Sequence, residues 1–175
     1  PNFVEGLDRS VTVSQDMTIC SGQTAILQAS GCAHNLSWYK IVGNVSTLLP
    51  LTDAEISVSP TINTCYVASC CDSLGCCSDT VCVTVTSMTL SGTSTDILCR
   101  ERNTGSISGT LVGGIAPTTM TINPPVSASI TGSTFSYNNL AVGTYTIIAT
   151  DVNGCTTQQS FIINQDTCPC DTCYS

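Results

Sequence analysis

Short runs of apolar and polar residues in alternation, rich in Val, Ile, Thr and Tyr, recur about every ten residues and are separated by Gly, Pro, Asn and Ser. They fall at residues 11–14, 24–28, 36–41, 55–59, 64–69 and 80–86. A second set falls at 88–90, 105–111, 118–122, 128–130, 134–137, 143–150 and 156–163. A period of two is that of a half-buried strand. No stretch carries apolar residues at the three-four spacing of a helix, and the good surface helix formers Glu and Lys are nearly missing. The pattern predicts an all-β chain with essentially no helix. Six or seven strands per half predict two tandem β-sandwiches that divide near residues 87–93. The expected order is an N-terminal extension or arm at 1–10, a Cys-rich sandwich at 11–87, a second sandwich at 88–165 and a Cys-rich tail at 166–175.

Composition narrows the function. Of 175 residues, 13 are Cys, 4 are Lys or Arg and 12 are Asp or Glu, for a net charge of -8. Four cations cannot build a phosphate-binding patch, so nucleic acid is not an expected partner. Lys40, His34 and Trp38 are each the single residue of their type. General acid–base chemistry has little to draw on, and no Gly-x-Ser-x-Gly elbow frames a serine, so no catalytic residue and no cofactor are expected. An apolar share of 42% is too high for disorder. No apolar run reaches the ~18–20 residues of a membrane span. Cysteine at this density fits a disulfide scaffold in an oxidising space, so the expected location is extracellular, secreted or on a cell surface. The chain opens Pro1-Asn2-Phe3 with no basic region ahead of an apolar run, so the expectation is either a leader already removed or a piece of a longer chain.

Eight of the cysteines fall in the first half, at 20, 32, 65, 70, 71, 76, 77 and 82. Folding residues 64–85 as a hairpin about 73 and 74 sets Cys65 opposite Cys82, Cys70 opposite Cys77 and Cys71 opposite Cys76. Cys65, Cys82, Cys71 and Cys76 then share one face, and Cys70 and Cys77 the other. Directly opposed cysteines bridge where strands are closest, and positions 65 and 71 belong to the same pair class. Cys65–Cys82 and Cys71–Cys76 are therefore expected as staples. Cys70 and Cys77 are expected to reach Cys32 and Cys20 respectively. Eight cysteines allow about a hundred pairings, so spacing alone does not settle the connectivity. A thiolate metal cluster is the competing reading of Cys-Cys-x4-Cys-Cys, but no helper His lies near and strand patterns surround it, so no metal site is expected. Thirteen is odd, so one cysteine is left free or bonded to another chain. Cys168, Cys170 and Cys173, outside both sandwiches, are the candidates for a tail or intersubunit bridge.

Two resemblances follow from particular motifs. Leu98-Cys99, the segment from Gly105 to Gly114, Leu140-Ala-Val-Gly-Thr-Tyr-Thr146 and Thr150-Asp-Val-Asn-Gly-Cys155 resemble the SprB-type repeat of secreted bacterial surface adhesins. The family pairs its two cysteines, so the resemblance implies a Cys99–Cys155 bridge. The family's aromatic-rich strand after the Gly-Gly turn is replaced here by Pro117-Thr-Thr-Met-Thr-Ile122. The first half, with Cys20, Cys32, Trp38 and Cys65-Tyr-Val-Ala-Ser-Cys70, is similar to the Ig-like modules of such adhesins and filament proteins. Together they imply two tandem disulfide-stapled Ig-like β-sandwich domains without catalysis.

Single residues are weighed against plainer roles. Trp38 reads as a core tryptophan near a disulfide rather than a binding platform. Tyr145 reads as a tyrosine-corner residue bonded to backbone. Asp151-Val-Asn-Gly154 looks like half a calcium loop but reads as a turn. Asn35 and Asn44 open sequons for N-glycosylation. The expected function is a subunit of a self-assembling surface filament, joined head to tail through terminal segments. Phe3, Val4 and Leu7 would form an assembly arm that adds a strand to a poorly guarded sheet edge of the next copy. The alternative is an adhesin fragment that binds glycans or a partner protein.

Overall fold

Within Ala25–Ser30, Ala25, Leu27 and Ala29 are buried while Ile26, Gln28 and Ser30 face solvent. The same alternation builds both halves of the chain. The computed structural model describes residues 10–32, 35–72, 75–98, 102–127 and 129–167, and every regular element among them is a strand. The chain divides into two compact units between Thr86 and Ser87.

The first unit contains β1 (Thr12–Val13), β2 (Met17–Cys20), β3 (Ala25–Ser30), β4 (Leu36–Val42), β5 (Val45–Leu48), β6 (Glu55–Val58), β7 (Thr64–Asp72) and β8 (Gly75–Thr86). One sheet runs β1-β3-β6 and the other β2-β8-β7-β4-β5. β2 runs parallel to the end of β8, and the other neighbours are antiparallel. Leu27, Trp38, Ala68 and Val81 are fully buried at the centre of the core. The Trp38 indole N–H donates to the Asp53 carbonyl at 3.0 Å, so its one polar atom stays satisfied.

The second unit contains β9 (Met88–Thr95), β10 (Gly105–Gly113), β11 (Thr119–Asn123), β12 (Ser129–Thr131), β13 (Thr134–Leu140), β14 (Gly143–Thr150) and β15 (Thr156–Ile163). Its sheets run β12-β13-β10-β9 and β11-β14-β15. Ile107, Ile147 and Ile163 are fully buried between them, with Phe135, Tyr137 and Phe161 beside them. Outward hydroxyls pair across strands, as Thr146 with Ser160 at 2.9 Å and Ser91 with Thr110 at 3.1 Å. Such pairs are one use for the many Ser and Thr.

Three features depart from the alternation. β5 is exposed at all four positions, so it has no buried face for a period to reveal. β2 buries only Ile19 and takes its place from the end of β8. β9 runs through Gly92 to Thr95, beyond the expected end at residue 90. Gly92 lies opposite Gly109 of β10, and a Cβ on Gly109 would fall 2.6 Å from the Phe135 ring and 2.7 Å from the Gly92 Cα. The two bare positions leave a notch that Phe135 and Phe161 close, their rings edge to face at 6.5 Å.

Candidate interaction surface

The β7–β8 hairpin is the framework of the first unit's larger sheet. Its register sets Cys65 opposite Cys82, Cys70 opposite Cys77 and Cys71 opposite Cys76. Cys65–Cys82 and Cys71–Cys76 are disulfides, each with Cα atoms 4.0 Å apart. Cys70 bonds to Cys32, Cα to Cα 5.6 Å, which ties the hairpin to the segment after β3. This bridge lies in the part-buried shell of the core that holds Trp38.

The expected Cys20–Cys77 pairing is corrected by the structure. Cys77 is a free thiol, whereas Cys20 is disulfide-bonded. Cys20 lies opposite Thr86 at the far end of β8. At ~3.3 Å per residue that is roughly 30 Å from Cys77, and a disulfide needs Cα atoms within ~7 Å. The parallel pairing of β2 sets this distance, and no motif announces it. Cys155 is disulfide-bonded as well. Cys99, Cys168, Cys170, Cys173, His34 and the arm residues Phe3, Val4 and Leu7 lie outside the described residues.

The outward face of this sheet forms the candidate surface. Thr64, Tyr66 and Ala68 of β7 point into the core, so Cys65, Val67 and Ser69 point out. Cross-strand pairing extends Val67 to Tyr39 and Leu48 on one side and to Thr80 on the other. The next row sets Ile41 beside the Cys65–Cys82 bridge. The strand positions of this face carry no charged residue, although the whole chain has a net charge of -8. β5 ends the strand order, and its outer side pairs with no strand among the described residues. Val45 and Leu48 on it are 66% and 60% exposed. Asn44 is exposed in the turn that leads into β5. Asn35, also exposed, donates its side-chain N–H to the Cys71 carbonyl at 3.3 Å.

The smaller sheet carries a groove of about 470 Å³ lined by Thr12, Ser14, Gln28, Ser30, Ala54 and Glu55 among others. Its polar groups already engage one another. Gln28 Nε2 donates to Glu55 at 2.8 Å, and Thr12 and Ser30 share a hydroxyl bond of 2.7 Å.

Aspartates hold the sheets together in a way the sequence reading missed. Asp79 accepts N–H bonds from Val13 and Thr80, Asp16 accepts one from Cys82, and Asp96 accepts one from Asn164. Asp151 is buried. Its Oδ1 accepts from Asn153 and Cys155 at 2.9 Å each, and its Oδ2 accepts from Ile115 at 3.1 Å. This is an Asx-type turn in which both oxygens are occupied by backbone donors. Tyr145 donates its hydroxyl to the Ala141 carbonyl at 3.1 Å, as a tyrosine corner does. No group of three or more His, Cys, Asp or Glu side chains is arranged to hold a metal among the described residues. No helix among them is long and apolar enough to cross a membrane.

No protein-family model and no curated protein matches the chain. Solved structures do. The insect immune protein hemolin aligns with 93% of this chain and 49% of its own, at a TM-score of 0.56 and 15% identity. The N-terminal eight Ig domains of Down syndrome cell adhesion molecule align with 88% of this chain and 27% of theirs, at 0.56 and 14%. A three-Ig fragment of titin aligns with 89% of this chain and 64% of its own, at 0.54 and 9%. The chain thus spans about half the length of the hemolin structure and under two thirds of the titin fragment. At these identities the likeness concerns the fold, which is that of tandem disulfide-stapled Ig-like domains.

Proposed function

We propose that the chain is an extracellular, non-enzymatic structural module that associates with copies of itself. The observation that carries this reading is the uncharged outer face of β5-β4-β7-β8 on a chain of net charge -8. Two copies repel each other wherever their acids approach. Contact through a face without acids avoids that repulsion, and the face has no cations to attract an anionic partner. The hemolin structure is described as having implications for homophilic adhesion. That description concerns hemolin, and it supports the same kind of role here. The finer form of the proposal is a filament subunit whose second unit is an SprB-type repeat. The N-terminal arm, with Phe3, Val4 and Leu7, adds a strand to the outer side of β5 on the next copy, and the cysteine tail offers an intersubunit bridge. Head-to-tail contacts that do not close produce filaments.

A glycan-binding adhesin is the second reading, and the groove lined by hydroxyl, carboxamide and carboxylate groups favours it. Against it, Trp38, Tyr66, Phe135, Tyr137, Tyr145 and Phe161 are all buried, which leaves Tyr39 as the one partly exposed ring among the described residues.

Sedimentation of the intact chain and of forms lacking residues 1–10 or 166–175 tests the proposal. Concentration-dependent association that weakens in a truncated form supports it. A chain that stays monomeric overturns self-association, and association unchanged by either truncation overturns the terminal arms alone.

A further inference from the structure

Three cysteines gather on one face at the end of the β7–β8 hairpin. Cys70 and Cys77 stand opposite each other, Cys70 is bonded to Cys32, and all three pack against the core of the first unit. Cys77 is a half-buried free thiol. The adjacent pair, Cys71 and Cys76, has Cα atoms 4.0 Å apart, the narrow class of antiparallel pair. The classes alternate along a hairpin, so Cys70 and Cys77 form the wide class, at about 5.5 Å. That Cα separation lies within the ~4.4–6.8 Å range of a disulfide, and bond formation requires the strands to draw the two Cβ atoms from the ~5.5 Å of a wide pair to ~3.5–4.5 Å. Cys70 is bonded to Cys32 and faces Cys77 across the hairpin, and it can hold only one of them at a time. Cys71–Cys76 lies on the opposite face and takes no part.

We propose that Cys32, Cys70 and Cys77 form a thiol–disulfide exchange site whose substrate is the protein's own Cys32–Cys70 bond. The Cys77 thiolate attacks Sγ of Cys70. The Cys70–Cys77 bond forms, the Cys32–Cys70 bond breaks, and Cys32 leaves as the thiolate. Cys77 gives up its proton to solvent and Cys32 takes one up, so one S–S bond replaces another and no oxidant is consumed. The two isomers constrain different parts of the chain. Cys32–Cys70 closes a separation of 38 residues and ties the hairpin to the segment after β3. Cys70–Cys77 ties only the two strands of the hairpin, frees that segment, and moves the thiol to Cys32. This site stands independently of self-association.

The test equilibrates the native protein at about pH 6 and at about pH 9, where thiolate is abundant. Exchange is quenched with acid, free thiols are alkylated, and the unreduced digest is read by tandem mass spectrometry. Label on Cys77 is expected to dominate at the lower pH. Label on Cys32 and a Cys70–Cys77-linked peptide are expected to appear several-fold faster at the higher pH, and both should be lost in Cys77→Ala. Absence of the linked peptide at both values, or equal Cys32 labelling in Cys77→Ala, overturns the proposal. A second variant, Cys32→Ser, leaves Cys70 without its first partner. Under oxidised glutathione it should close Cys70–Cys77, and two persisting free thiols in that variant overturn the proposal as well.

Discussion

The Asp79 carboxylate on β8 accepts the backbone N–H of Val13 on β1 at 3.0 Å, joining the two sheets of the first unit. Its other oxygen accepts from Thr80 at 2.8 Å. These bonds, Val13 first, hold the carboxyl below its usual pKa. A group whose pKa is depressed in the folded state stabilises in full above the ordinary carboxylate range, near pH 4. That stability is lost as pH falls through the folded value. Asp79→Ala is therefore expected to lower Tm at neutral pH and to match the parent protein in strong acid. Thermal unfolding of both across the acid range checks this. A constant difference in Tm would show that the carboxylate charge is not what counts.

The facing glycines of the second unit predict a cost for the smallest possible side chain. A Cβ on Gly109 would meet the Ser91 backbone carbonyl first, then the Phe135 ring at 2.6 Å and the Gly92 Cα at 2.7 Å. Overpacking of this kind costs ~1–3 kcal/mol. Gly109→Ala should lower the unfolding free energy by that amount, read in urea from a lower midpoint at unchanged slope. Combining it with Phe135→Leu, which withdraws the ring but not the Ser91 and Gly92 backbone, should cost only somewhat less than the sum of the two single changes.

The hairpin register was legible because three cysteine pairs are mirror-related about one point, and symmetry of that kind survives without tertiary information. Trp38 was legible because a lone tryptophan amid an alternating strand belongs on the buried face. Cys77 was not legible. Its expected partner, Cys20, sits on β2, whose parallel pairing puts it at the wrong end of β8. The aspartate caps were also hidden. A carboxylate such as Asp16 takes its role from a strand distant in sequence, here from the Cys82 N–H at 2.7 Å. β5 has no period to detect, since an edge strand with no buried face looks like a loop.

Asp151 separates a turn from a cation site. Its two oxygens take three backbone N–H groups. Asp151→Ala leaves those donors unpaired in a buried place and is expected to cost on the order of 3 kcal/mol. Asp151→Asn keeps an oxygen for Asn153 and Cys155 but turns an amide toward the Ile115 donor, so it should cost ~1–2 kcal/mol. Urea denaturation measures both. Calcium or a chelator should leave Tm unchanged in every form. A rise in Tm with calcium would mean that the carboxylate is free to coordinate it.

Two tyrosines of the second unit should respond in opposite directions to loss of the same atom. The Tyr145 hydroxyl donates to the Ala141 carbonyl at 3.1 Å, so Tyr145→Phe removes a made bond and should cost ~1 kcal/mol. The Tyr137 hydroxyl is buried with no hydrogen-bond partner among the described residues. Tyr137→Phe removes an oxygen that was desolvated without compensation, and the ring packing beside Phe135 at 6.0 Å is retained. That change should be neutral or stabilise by up to ~1 kcal/mol. pH separates the two cases further. Burial raises the Tyr137 pKa above the usual phenol value. Its stabilising share is complete below that usual value and is lost as pH rises through the folded one, because the unfolded chain releases the proton first. Tyr137→Phe should therefore gain on the parent protein as the solution turns alkaline. If Tyr137→Phe instead destabilises as much as Tyr145→Phe at neutral pH, the Tyr137 hydroxyl has a partner after all, and its burial is compensated.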